Sequence, residues 1–133
     1  MNKPCRMSLV ALIALACLVP RVHAQSGPAF LDREAQQKAT GEQIFTHICQ
    51  GCHMADAKGA QGAGTYPALA GNPKLASPQY PMAMVLNGRG AMPPFGRLFS
   101  DEQVAGVVNY LRSHFGNHYS DTISAADVKA MRP

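Results

Sequence analysis

Residues Cys49-Gln50-Gly51-Cys52-His53 read "CQGCH", two thiols and an imidazole within five positions. Four chemistries use such a cluster: a disulfide, a structural zinc, thiol–disulfide exchange, or covalent attachment of a haem. Thiol exchange on a Cys-X-X-Cys calls for a strand leading into a helix, and here the motif closes a helix-friendly segment with no strand pattern nearby. A structural zinc needs four ligands, normally in two pairs, and His47, His114 and His118 have no finger-like spacing to the single cysteine pair. A disulfide would leave His53 without a role. Haem attachment uses all three side chains: each thiol adds to one vinyl group of a porphyrin, and the adjacent imidazole becomes the proximal iron ligand.

The rest of the chain bears on that choice. Lys3 and Arg6 precede the apolar run Met7–Val19, and "VHA" at Val22–Ala24 offers small residues to a signal peptidase. Residues 1–24 therefore read as a secretory signal and residues 25–133 as one small domain. A lipoprotein reading with Cys17 as the lipidated residue is the alternative, but Ala14 stands where a larger aliphatic residue is usual. Removing 24 of 133 residues leaves 109. Three of the twelve Lys and Arg residues leave with the signal and all eight acidic residues stay, so the net charge falls to +1. That charge lacks the clustered basic footprint of a nucleic-acid binder. Cys5 and Cys17 also lie in the signal, so Cys49 and Cys52 are the two cysteines of the mature chain. No apolar run after Gln25 is long enough to span a bilayer, and the expected location is the periplasm.

Along the chain the pattern is helix, irregular middle, helix. Phe30–His53 has helix-friendly composition with Asp32 as a candidate cap; Gly41, Phe45 and Ile48 fall on one face, with Gly41 read as an interior glycine that lets another element approach. Lys58–Phe99 is rich in Gly and Pro, relieved by a short helix after Pro78 that ends at Gly88. Ser100 and Gln103 make a capping box for a helix carrying Val104, Val107, Val108 and Leu111, with Gly116 read as its C-cap. Ser124 is a candidate cap for a last short helix. The expected class is all-α, with loops enclosing something other than side chains.

Over nearly its whole mature length the chain resembles class I c-type cytochromes. Gly41 and Phe45 before "CQGCH", "YPALAGN", "AMPPFG" and "NYLRSHFGN" carry the likeness. More narrowly, "YPALAGN", "NYLRSHFGN" and "SAADVKAMR" are similar to haem domains in cytochrome subunits of periplasmic dehydrogenases. The resemblance implies a fold in which first and last helices cross, Gly41 and Phe45 meeting Tyr110, and one covalent haem c. It implies that the Pro67 carbonyl accepts a hydrogen bond from His53, with Pro67 as a mere loop stiffener the plainer reading. Leu69 packs on the porphyrin or in ordinary core.

For the sixth iron ligand the resemblance points to Met92, which Pro93 holds in extended backbone. Met82 and Met84, on the short helix, come next. His47, His114 and His118 read as surface residues, and Arg89 as a propionate partner or a solvated loop residue. Axial His and Met leave no open iron position. The implied function is single-electron transfer without catalytic residues, from a periplasmic dehydrogenase to a downstream cytochrome or oxidase. A tightly bound dehydrogenase subunit is the near alternative; a haem enzyme or sensor with an open sixth site is the distant one.

Overall fold

The computed structural model describes residues 33–62 and 64–133. The expected signal segment, with Cys5 and Cys17, and the expected Asp32 cap lie outside them. Six short α-helices make up the fold: α1 Arg33–Gln37, α2 Gly41–Ile44, α3 Gln50–His53, α4 Gln79–Asn87, α5 Asp101–Ser113 and α6 Ala125–Met131. A π-helical turn, Phe45–Cys49, joins α2 to α3, and a 3₁₀ turn spans Pro73–Ala76. Two strands of two residues each, β1 Ala60–Gln61 and β2 Thr65–Tyr66, pair antiparallel. The all-α class stands, with that small ribbon added to it.

The first helical segment is not continuous. Thr40 accepts from the Gln43 amide at 3.2 Å and its own amide donates to Gln43 Oε1 at 2.9 Å, a complete capping box that starts a new helix. Gly41 is thus the first residue of α2, not an interior glycine, and the helix-interior cost does not apply to it. Its other expected role holds. A Cβ on Gly41 would run into the Gly106 carbonyl and the Val107 amide. α2 and α5 therefore cross backbone to backbone, and Phe45 lands 5.8 Å from Tyr110 and 4.7 Å from Phe115 between ring centroids.

Ser100 and Gln103 cap α5 as expected from their spacing. Gln103 does more than cap: its Nε2 donates to the Gln36 carbonyl, tying α5 to α1. The end of α5 differs from expectation. Ser113 is its last residue, His114 is extended, and Phe115 and Gly116 take positive φ of 56° and 76°. Gly116 is therefore part of a left-handed reversal beyond the helix. That reversal lets Asn117 turn back under the core.

Ile44, Phe45, Val104, Val107, Val108 and Leu111 fill the α2–α5 crossing, and Leu75, Met82, Leu86 and Val128 extend it to α4 and α6. α6 is held to α5 by reciprocal bonds between Asn109 and Ile123, both at 2.9 Å. Among the described residues one charged side chain is fully inside. Arg112, 1% exposed, donates to the carbonyls of Leu75, Ala76 and Asp121 and to the Asp121 carboxylate at 2.6 Å.

Candidate cofactor site

Cys49 ends the π turn and His53 ends α3, so the motif occupies one short helical stretch directly below Phe45. The widened turn is visible in its bonding: the Gln50 amide reaches back to the Phe45 carbonyl. Such single π turns interrupt helices most often at functional positions. Residues three and four apart on a helix share a face, which places Cys49, Cys52 and His53 on a common side.

His53 is 8% exposed. Its Nδ1 lies 2.9 Å from the Pro67 carbonyl oxygen, which can only accept. Nδ1 therefore carries the proton and Nε2 keeps its lone pair. The tautomer is set by backbone, and it leaves the far nitrogen as a ligand.

Cys49 and Cys52 are not joined to each other in a disulfide. Cys52 is exposed, whereas burial pushes the Cys49 thiol up to about 11, further helped by neighbouring Cys52 and opposed by its own backbone bond. A thiol that stays protonated at neutral pH is a poor exchange nucleophile, since the thiolate is the reactive form. Among the described residues no group of three or more His, Cys, Asp or Glu side chains could hold a metal ion. Among the described residues this arrangement supports no zinc cluster, and burial makes Cys49 a poor exchange nucleophile.

Two loops present apolar side chains. Leu69, Met92, Phe95 and Phe99 are half-buried against the core, and Phe95 stacks on Phe99 at 5.1 Å. Met92 sits in a tight reversal, its amide and carbonyl both paired with Arg89 at 3.0 Å. Gly88, at φ 66°, makes that reversal possible, because a Cβ there would collide with the Met92 carbonyl and Pro93. Beyond it, the Phe95 and Gly96 amides donate to Val85 and Leu86 at 2.9 and 3.1 Å, fastening the loop to the end of α4. Arg132, after α6, donates to the Phe99 carbonyl at 2.8 Å, to the Gly96 carbonyl, and to Asp101.

Met82 is buried in the core face of α4, and Met84 is half-buried on the same helix. His47, His114 and His118 are exposed, His114 stacked on Tyr110. Arg89 is exposed on the Met92 loop. Three residues that organise the site gave little sequence signal: Arg112, Asn117 and Arg132. Asn117 reads locally as a helix stop, and its partners lie 45 and 48 residues away.

Two thiols and a backbone-oriented imidazole on one helical face have the spacing and donor set of a covalent haem site of c type. The donor set fits the group: sulfur for the vinyl additions, a neutral imidazole nitrogen for iron, apolar walls for the macrocycle. Residues 36–111, more than half of the chain, match the family described as cytochrome C oxidase, cbb3-type, subunit III. The chain is 32% identical over 117 residues to the cytochrome c subunit of alcohol dehydrogenase (quinone) from Gluconobacter oxydans (strain 621H), covering 78% of this chain and 24% of that one. It is 35% identical over 107 residues to the fructose dehydrogenase cytochrome subunit of Gluconobacter japonicus, covering 69% and 22%. To cytochrome c6 of Picosynechococcus sp. (strain ATCC 27264 / PCC 7002 / PR-6) it is 33% identical over 120 residues, 84% of this chain and 98% of that one.

The chain belongs to this cytochrome c family, with haem c as its covalently bound cofactor and electron transfer, not substrate turnover, as its class of function. It spans about a quarter of the length of the two dehydrogenase subunits. No helix among the described residues is long and apolar enough to cross a membrane.

Proposed function

We propose that this chain is a periplasmic electron carrier whose haem is held by Cys49 and Cys52 and ligated by His53 and Met92. Bound there, haem supplies an iron that gains and loses one electron. The protein's part is to fix the ligands and keep water away. Pro67 holds the His53 ring through Nδ1 and raises its basicity. The Arg89–Met92 reversal and the Val85 and Leu86 carbonyls hold the Met92 loop, and Leu69 contributes an apolar wall. His53 and Met92 would together hold the iron and leave small molecules no place to bind, and methionine would raise the potential relative to a second histidine. The observation that carries this reading is the 2.9 Å bond between His53 Nδ1 and the Pro67 carbonyl, which presents Nε2 as a ligand.

Residues 1–24 act as the export signal in this reading, giving residues 25–133 as the working domain. The partners are a dehydrogenase upstream and a cytochrome or oxidase downstream. Tight association with one dehydrogenase is a second reading, favoured by the names of the two dehydrogenase-subunit relatives. Size-exclusion of the native extract separates them: a free carrier elutes at the size of a small monomer, a subunit co-elutes with dehydrogenase activity.

Replacing Met92 by Ala tests the ligand set. The variant is expected to lose the iron–sulfur absorption band of the ferric protein and to fall in potential. Retention of both in the variant would shift the ligand to Met82 or Met84.

A further inference from the structure

We infer that Asn117 is a positioning residue for His53, acting through the Pro67–Asn72 loop; the inference rests on His53 being the axial ligand. Asn117 is 2% exposed and uses both ends of its amide. Its Nδ2 donates to the Leu69 and Leu111 carbonyls, each at 2.9 Å, and its Oδ1 accepts from the Asn72 amide at 3.0 Å. The bond to Leu111 alone would serve to close the end of α5. The other two reach back 45 and 48 residues, to both sides of Ala70.

The same loop is gripped from its other side. The Leu69 and Ala70 amides converge on the Ala57 carbonyl at 2.7 and 2.9 Å, and Gly59 donates to the His53 carbonyl at 3.0 Å. Gly71 donates to Phe115 at 3.0 Å, and the Asn72 side chain donates to Ala68 at 2.7 Å. Pro67 itself has no amide hydrogen, so its carbonyl is placed by the Ala60–Tyr66 strand pairing before it and by these bonds at residues 68–72 after it. Asn117 makes the longest-range of them. It lies past residue 111, where the family match ends, so the orientation of the histidine depends on a residue outside that match.

Removing the amide leaves the Leu69 carbonyl and Asn72 amide without their buried partner, and the loop loosens. A weaker Nδ1–H to Pro67 bond makes the imidazole less basic, which favours ferrous over ferric iron. The test uses the complete holoprotein with Asn117→Ala, and Val128→Ala as a stability control in a fully buried position on α6. Midpoint potential, melting temperature and the paramagnetically shifted His53 imidazole signals in NMR are read for each.

Asn117→Ala is expected to raise the ferrous:ferric ratio at fixed potential by up to about tenfold, equivalent to about 59 mV for one electron. Its His53 Nδ1–H should exchange faster. Val128→Ala lowers the melting temperature and leaves potential and imidazole signals in place. An Asn117→Ala protein that behaves like Val128→Ala overturns the inference. If Asn117→Ala does not fold, the wild-type protein decides: the His53 Nδ1–H and the Asn72 amide should show the same opening free energy, and protection differing by more than about tenfold overturns the inference. A wild-type spectrum in which the axial imidazole is not His53 defeats the ligand reading itself, independently of Asn117.

Discussion

Single residues carry this fold where the chain has no alternative. Gly41 is one. Its Cα passes so close to Gly106 that any side chain must separate α2 from α5, and overpacking of this kind costs about 3 kcal/mol. Gly41→Ala should show that loss in chemical denaturation, while Gly51→Ala, where nothing lies within 4 Å, should change little. Arg112 is another. Truncation to Ala would strand the Leu75 and Ala76 carbonyls, and each buried acceptor left unmade costs about 1–3 kcal/mol. The expected loss is about 3 kcal/mol by denaturant titration, with Lys recovering little because it lacks the planar fork. Asp121 answers the same guanidinium from an exposed position, and the bond from Arg112 holds its carboxyl below the usual carboxylate range. A depressed folded value stabilises above the ordinary carboxylate pKa and is lost as pH falls below about 4. The melting temperature of Asp121→Asn should therefore fall less steeply from neutral to about pH 3 than that of the parent.

Helices and loops show which signals are local. Ser100 with Gln103, Ser124 before α6, and the run from Pro78 to Gly88 could be placed from sequence because caps and breakers act within four residues. Thr40 and Gln43 carry the same capping-box pattern, yet helix-friendly residues on both sides masked it, and one segment was expected where there are two. The end of α5 differs by two residues because Gly116 suggests a cap, whereas the chain leaves the helix at extended His114 and reverses at Phe115. Cys49, Cys52 and His53 were legible because their spacing is their chemistry. Arg112, Asn117 and Arg132 were not, since what each touches is set by the tertiary fold. Thr40→Ala is expected to cost about 1 kcal/mol in thermal melts, from loss of the cap alone; no change would mean that α2 is held by the Gly41 crossing and not by its own start.

At the scale of the molecule, the helix-borne motif is tied to the Pro67 loop, and the Met92 loop is fastened to α4. The described residues bury a modest core, and on the proposed reading a covalent cofactor completes it at the half-covered Leu69, Met92 and Phe95. Binding to the folded state alone stabilises that state, so a Cys49→Ala, Cys52→Ala double variant should lose both colour and cooperative melting. The most direct measurement is peptide mapping by mass spectrometry of the protein produced with a cytochrome maturation system. The account predicts one peptide spanning Cys49 to His53 that carries the mass of one haem through two thioether bonds. A colourless protein whose Cys49–Cys52 peptide has the mass of the bare chain would contradict it.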